Sequence, residues 1–183
     1  MILLFIGAPG SGKDTQAEFV ARDYGYEIVS TGQLFRDEVA KSSELGRKLD
    51  AIMSAGQLVE DALVYEILGN HLRECPNQNV ILTGVVRTLP QVQMLADTLT
   101  SINRQLDKVV YIEIPPAEVT SRLLDRKRPD DTPEAIQKRI NDFQPTISEI
   151  LPAYEQQGLL VRVDGLGTRE EVYTRVKTAL KLN

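Results

Sequence analysis

The run Gly7-Ala8-Pro9-Gly10-Ser11-Gly12-Lys13-Asp14-Thr15 admits few folds, because it follows the apolar stretch Ile2 to Ile6 and leads straight into a helix-like segment. Strand, glycine loop and helix in that order suit a cup of backbone N–H groups at the positive end of a helix. Gly10, Ser11 and Gly12 let the chain turn tightly, and Lys13 adds a full charge for the outer phosphates of a nucleotide. An ordinary glycine-rich turn is the plain alternative, and the strand placed directly before the loop weighs against it. One position departs from the usual pattern. Where a Ser or Thr hydroxyl normally follows the lysine to ligate Mg²⁺, this chain has Asp14, with Thr15 one place later.

A chain of 183 residues, 42% of them hydrophobic, can bury a full core and is expected to form one domain. Its net charge of −5 argues against a nucleic-acid or membrane-surface protein, which would carry a basic excess. Cys75 is the single cysteine, so no internal disulfide can form and a reducing, cytoplasmic setting is expected. The apolar start lacks a basic leader and reads as a first strand, not a signal peptide. No apolar run approaches the ~20 residues of a spanning helix.

Further along, residues 12 to 24 place Ala17, Val20 and Ala21 at helical spacing and stop at Gly25. Glu27 to Ser30 is a short strand, and Thr31 is the expected cap of the next helix. Two helices, Glu44 to Ala55 and Asp61 to Cys75, flank Gly56 to Val59. Strands are expected at 79–84, 108–114 and 159–163, with helices near 90–99, from Pro116, from Pro133 to about 157, and at 170–180. Pro145 predicts either a kink or a junction between two helices. Strands that alternate with helices imply right-handed crossovers and a parallel sheet between helical layers. His71 and Cys75 stand one turn apart with no further His or Cys to complete a metal site, and are read as structural.

Five segments fall at the ends of these elements, where ligands bind in open α/β sheets. They are the glycine loop, Ser30 to Arg36, Gly56 to Asp61, Thr83 to Gln91, and Arg122 to Asp131 with Arg139. In order and spacing they resemble the adenylate kinase family of nucleoside monophosphate kinases over nearly the whole chain. The resemblance implies a P-loop nucleoside triphosphate hydrolase-type α/β/α sandwich on a parallel five-stranded sheet. It implies a core of residues 1–29, 60–121 and 140–183, a helical nucleotide-binding lobe at about 30–59, and a short lid at about 122–139.

The same resemblance assigns roles. Gly10, Ser11, Gly12, Lys13, Asp14 and Thr15 match the ATP phosphate site, Arg122 and Arg126 match lid arginines at the ATP base and phosphates, and Gly165 and Leu166 match a backbone contact to that base. Thr31, Gly32, Arg36, Met53, Gln57, Val59, Gly84, Arg87 and Gln91 match the AMP site, and Arg128 and Arg139 match arginines around the transferred group. Lys13, Arg87, Arg128 and Arg139 are the expected catalytic set. Thr31 and Gln91 resemble the adenine-preferring branch, since the pyrimidine branch carries alanine and asparagine there. The implied activity is reversible transfer of the ATP γ-phosphate to AMP with Mg²⁺, giving two ADP, by a monomer with small nucleotides as its partners.

The residue types suit that chemistry. Phosphoryl transfer between two anions needs fixed cations around the moving group and little covalent chemistry. Arginine grips phosphate through a planar fork and never loses its charge, and a closed site keeps water from intercepting the group. Taken singly, Arg122 with Arg126 could be a solvated helix face, Arg36 and Arg87 could be surface ion-pair partners, and Met53 could be core.

Three positions depart from the family. Thr83 stands where an aspartate helps hold hydrated Mg²⁺, Asp14 replaces a glycine, and Gln33 replaces an aspartate that links lobe and lid. Two unit charges ~5 Å apart at an effective dielectric of ~20 repel by about 3 kcal/mol, roughly a hundredfold in affinity. The Asp14 carboxylate is therefore expected to point away from bound phosphate or to meet a cation. Asp14 is also the candidate metal ligand, taking over from the carboxylate missing at Thr83. These departures leave two rivals open: a nucleotide-binding or sensing module with weak turnover, and a kinase for another monophosphate such as UMP, CMP or dAMP.

Overall fold

The computed structural model describes residues 1–41, 43–55, 59–125 and 132–182. The elements run β1 (Ile2–Gly7), α1 (Lys13–Tyr24), β2 (Glu27–Ser30), α2 (Thr31–Ala40), α3 (Glu44–Ser54), α4 (Asp61–Glu74), β3 (Val80–Thr83) and α5 (Leu89–Ser101), followed by β4 (Lys108–Glu113), α6 (Pro116–Asp125), α7 (Pro133–Gln156), β5 (Leu160–Asp164) and α8 (Arg169–Leu180). All strand pairs are parallel, in the order β2-β3-β1-β4-β5.

β1 is central because every residue in it is apolar or glycine, which only a strand covered on both faces can bury. Its side chains alternate between two cores. Ile2, Leu4 and Ile6 join Leu68, Leu72, Leu95, Ile150 and Tyr154 of α4, α5 and α7. Leu3 and Phe5 join Ala17, Val20, Val172 and Val176 of α1 and α8. The expected three-layer α/β/α sandwich is thus observed, with one face of the sheet under α1 and α8 and the other under α4, α5 and α7.

Most expected elements are found with ends shifted by a residue or two, one detail differs, and at Pro145 the junction between two helices is ruled out. Ser30, not Thr31, caps α2: its hydroxyl accepts the Gln33 N–H at 3.3 Å while Thr31 is already helical. Thr31 is left to reach the Gly84 carbonyl just past the end of β3. At Pro145 the chain forms one helix of 24 residues, with Pro145 and Pro152 both inside it. An interior proline removes a backbone bond and costs about 3 kcal/mol. The buried Ile140, Ile147, Ile150, Leu151 and Tyr154 along α7 offset that cost.

Far from the loop, at the amino end of the edge strand β2, Glu27 accepts from Cys75 Sγ at 3.0 Å and lies 3.2 Å from His71 Nε2. This agrees with the structural reading of both residues. Burial pushes the Cys75 thiol above its ordinary value. Among the described residues no helix is long and apolar enough to cross a membrane.

Candidate active site

The glycine loop leaves β1 at the middle of the sheet and returns as α1. Gly10 and Gly12 have φ of +82° and +88°, a region closed to most side chains, and Ser11 N–H donates to the Ala8 carbonyl at 3.0 Å to close the turn. At Gly7 a Cβ would run into the Ser11 hydroxyl, and at Gly10 it would lie 3.0 Å from Leu123. Gly12 caps α1 without a side chain, so the positive end of that helix faces the turn uncovered.

Beside this end lies a cavity of about 990 Å³. Lys13, Arg36, Arg87 and Arg139 line it, as do Thr31, Gly32, Thr83 and Gly84, against three carboxylates, Asp14, Glu18 and Asp142. Four cations from α1, α2, the β3–α5 loop and α7 therefore converge on one space in a chain whose net charge is negative. A preorganised cluster of this kind favours an anion that carries several charges.

Asp14 answers the question of charge raised by the sequence. Its carboxylate meets the Lys13 ammonium at 3.2 Å and is largely solvated, with 65% of the side chain exposed. Arg36 donates to Gln33 Oε1 at 2.7 Å, and Gln33 in turn donates to Asp37 at 2.6 Å, so Gln33 steadies Arg36 without cancelling its charge.

The two segments expected around one substrate are joined: Thr31 Oγ1 donates to the Gly84 carbonyl at 3.2 Å. Gly84 itself has φ of +68°, which turns the chain out of β3 toward Arg87. Gln91 is not among the residues that line the cavity and joins them through Arg87, whose N–H its Oε1 accepts at 2.6 Å. Val59 packs against the core, and Met53, 41% exposed, lies in the last turn of α3. Arg122 forms a second group with the turn after β5, bonding Glu118 Oε1 at 2.6 Å, the Gly165 carbonyl at 3.0 Å and the Ser11 carbonyl at 3.4 Å. There a Cβ on Gly165 would sit 2.6 Å from Ile114, while Leu166 is 40% exposed. Thr15 is half-buried in the first turn of α1. Gln57, Arg126, Arg128, Asp130 and Asp131 lie outside the described residues.

Two residues of this neighbourhood were given no role from the sequence. Tyr65 Oη donates to the Val85 carbonyl at 2.5 Å and lies 3.1 Å from that of Gln91, and burial pushes its phenol well above the ordinary range. Asp61 takes a hydrogen bond from Gln91 Nε2 at 2.7 Å. Each sits on α4 at least twenty positions from its partner, so no local pattern links the two, although Asp61 closes one of the five marked segments. Replacing Tyr65 with Phe should lower the unfolding free energy by about 1–3 kcal/mol, because a buried carbonyl loses its donor. Urea unfolding at unchanged slope reads this directly, and an unshifted midpoint would show that the hydroxyl does not secure the loop.

A glycine loop on the central strand of a parallel sheet, opening beside a cavity ringed by one lysine and three arginines, defines a P-loop phosphotransferase. Comparison with known proteins narrows this. The family described as Adenylate kinase matches residues 5–159. Proteins named adenylate kinase are similar along the chain: one from Thermus thermophilus is 38% identical over 182 residues, covering 97% of this chain and 96% of that protein. Another, from Synechococcus sp. strain RCC307, is 40% identical over 178 residues and 97% of both, and one from Leifsonia xyli is 38% identical over 97% of this chain and 92% of its own length. The chain belongs to the adenylate kinase family and is an enzyme of the nucleoside monophosphate kinase type.

Proposed function

We propose that this enzyme transfers the terminal phosphoryl group of ATP to AMP, giving two ADP, with the residues that converge on the cavity. The observation that carries the reading is the approach of Lys13, Arg36, Arg87 and Arg139 to one space beside the amino end of α1. An AMP phosphate oxygen attacks the γ-phosphorus in line as the β–γ bridging bond breaks, and the shared electrons leave on the β-phosphate of ADP. The attacking oxygen is already ionised, so no general base is needed. In this assignment Lys13, Thr15 and the amides of Gly10, Ser11 and Gly12 hold the ATP phosphates. Arg122 and Arg126, with the Gly165–Leu166 turn, hold the rest of ATP. Arg36 and Arg87 grip the AMP phosphate, while Thr31, Gly32, Met53, Gln57, Val59, Gly84 and Gln91 hold the remainder of AMP. Arg128 and Arg139 gather round the moving group. Residues 30–59 would serve as the AMP lobe and 122–139 as the lid on a core of 1–29, 60–121 and 140–183. The acidic balance and single cysteine support a cytoplasmic setting, and we take the enzyme to work as a monomer on free nucleotides.

The oxygen donors present suit Mg²⁺, a hard cation: the Asp14 carboxylate and the Thr83 hydroxyl line the same cavity as Lys13. Among the described residues no cluster of three or more His, Cys, Asp or Glu could cage a metal, which fits an ion carried mainly by phosphates and water. Bound with ATP, it would neutralise charge on the phosphates. Asp14 would hold it on the loop side, with Thr83 beside the hydrated ion.

The test is the rate of ADP formation from ATP plus AMP as Mg²⁺ is titrated, with UMP and CMP as rival acceptors. We expect a Mg²⁺-dependent rate selective for AMP; no transfer to any acceptor by folded protein would overturn the reading. In the same titration Asp14→Asn should raise the half-saturating Mg²⁺ about tenfold. An unchanged Mg²⁺ requirement would remove Asp14 from the metal site.

A further inference from the structure

Gln91 is a primary amide, with two lone pairs on its oxygen and two N–H bonds on its nitrogen. One lone pair receives the Arg87 N–H at 2.6 Å and one N–H goes to Asp61 Oδ1 at 2.7 Å. Among the described residues this leaves the amide one acceptor and one donor. The two neighbours also fix which end is which. Turned over, the amide would set its oxygen against the Asp61 carboxylate and its NH₂ against the Arg87 N–H, so both contacts would fail together.

An unrestrained amide does not discriminate among purines, since it can present acceptor and donor in either order. Adenine offers a donor at its 6-amino group beside an acceptor at N1. Hypoxanthine offers the reverse, an acceptor at O6 beside a donor at N1. Whether an amide favours one over the other depends on whether it is free to turn.

We infer that Asp61 is a specificity-determining positioning residue, which holds Gln91 in the single orientation that matches adenine and so sets the site against 6-oxopurine monophosphates. The inference rests on the reading above, in which Gln91 meets the acceptor base. Asp61 is suited to this task because an ionised carboxylate only accepts and therefore tolerates only the amide's N–H. It opens α4 directly after Glu60, so its backbone is fixed by the first helical turn. Tyr65, one turn further along α4, lies 3.1 Å from the Gln91 carbonyl, and the side chain is thus held against a backbone already fixed. A helix-opening acid could instead serve only the helix, through its dipole. That role would weaken every acceptor alike.

The experiment measures equilibrium dissociation constants and kcat/KM for AMP and for IMP, which differ at the 6-position and N1. It uses the wild type, Asp61→Asn, Gln91→Ala and the double variant. Asparagine can meet Gln91 with either its oxygen or its NH₂, so Asp61→Asn should leave the Arg87 N–H alone to hold the amide's orientation and make its turning over easier. The AMP-to-IMP preference should then fall about threefold or more, with IMP gaining in absolute terms. In the Gln91→Ala background the same change should leave the preference where Gln91→Ala puts it. A parallel loss for both nucleotides at an unchanged ratio would overturn the inference, as would an equal fall in preference without Gln91. The dissociation constants do not depend on turnover. Wild-type protein that binds AMP no better than UMP would instead overturn the reading on which the inference rests.

Discussion

Arg87→Ala should lower kcat about 10³-fold or more while the unfolding midpoint stays within the range of a neutral surface change. The expectation follows from how the residue is held. Gly84 turns the chain out of β3, Tyr65 pins the Val85 carbonyl, and Gln91 Oε1 takes the Arg87 N–H, so the backbone that carries the guanidinium is fixed before any substrate arrives. The side chain itself is exposed and lines the cavity. Its removal therefore takes a fixed cation from the site of transfer and little from the fold. Arg87→Lys should recover only part of the rate, because a point charge cannot bond two phosphate oxygens in one plane. Steady-state kinetics beside thermal unfolding decide the matter, and near-normal turnover of Arg87→Ala would remove it from the catalytic set.

For Lys13→Met we expect a loss of about 10²–10³ in kcat, the scale of removing one preorganised donor from a transition-state clamp. The ion pair of Lys13 with Asp14 is largely solvated and worth about 0–1 kcal/mol, so stability should barely change. Without the ammonium, the Asp14 carboxylate stays close to where phosphate binds. Adding Asp14→Asn to Lys13→Met should then improve the binding of Mg²⁺-free ATP over Lys13→Met alone, a coupling that a double-mutant cycle run without the metal isolates. Full activity in Lys13→Met would exclude the loop as the phosphate site.

The sequence made the sheet and the loop legible for one reason: both are written in contiguous residues. Ile2 to Ile6 is apolar on both faces, and the glycines at 10 and 12 stand where φ is positive. Four of the five short segments then marked the cavity through Lys13, Arg36, Arg87 and Arg139, while none of the described residues of Gly56 to Asp61 lines it. What stayed hidden depends on partners distant in the chain. The bond of Thr31 to Gly84, of Gln91 to Asp61, and the two distant carbonyl partners of Arg122 arise only when the crossovers bring those elements together. Thr31 against Ser30 as the helix cap was a choice between two good hydroxyl caps, and the bond of Thr31 to Gly84, 53 positions away, is not visible locally. Pro145 was ambiguous because its local cost is offset by packing against elements the local sequence does not name.

The position of β1 has a consequence for the order in which the molecule comes into being. Its partners are β3, in register Ile2 with Val80, and β4, in register Leu3 with Lys108, so the strand that carries the glycine loop must wait for chain roughly 80 and 105 positions downstream. Closing loops of that length is entropically unfavourable until the contacts they allow are in place. On a ribosome, helices α1 to α5 can form locally as they emerge, whereas the strand that carries the nucleotide cup gains its first partner only with β3 and its second only with β4. The glycine loop, made before the other functional segments, thus gains support on both sides of its strand only after Glu113, the last residue of β4, has been made.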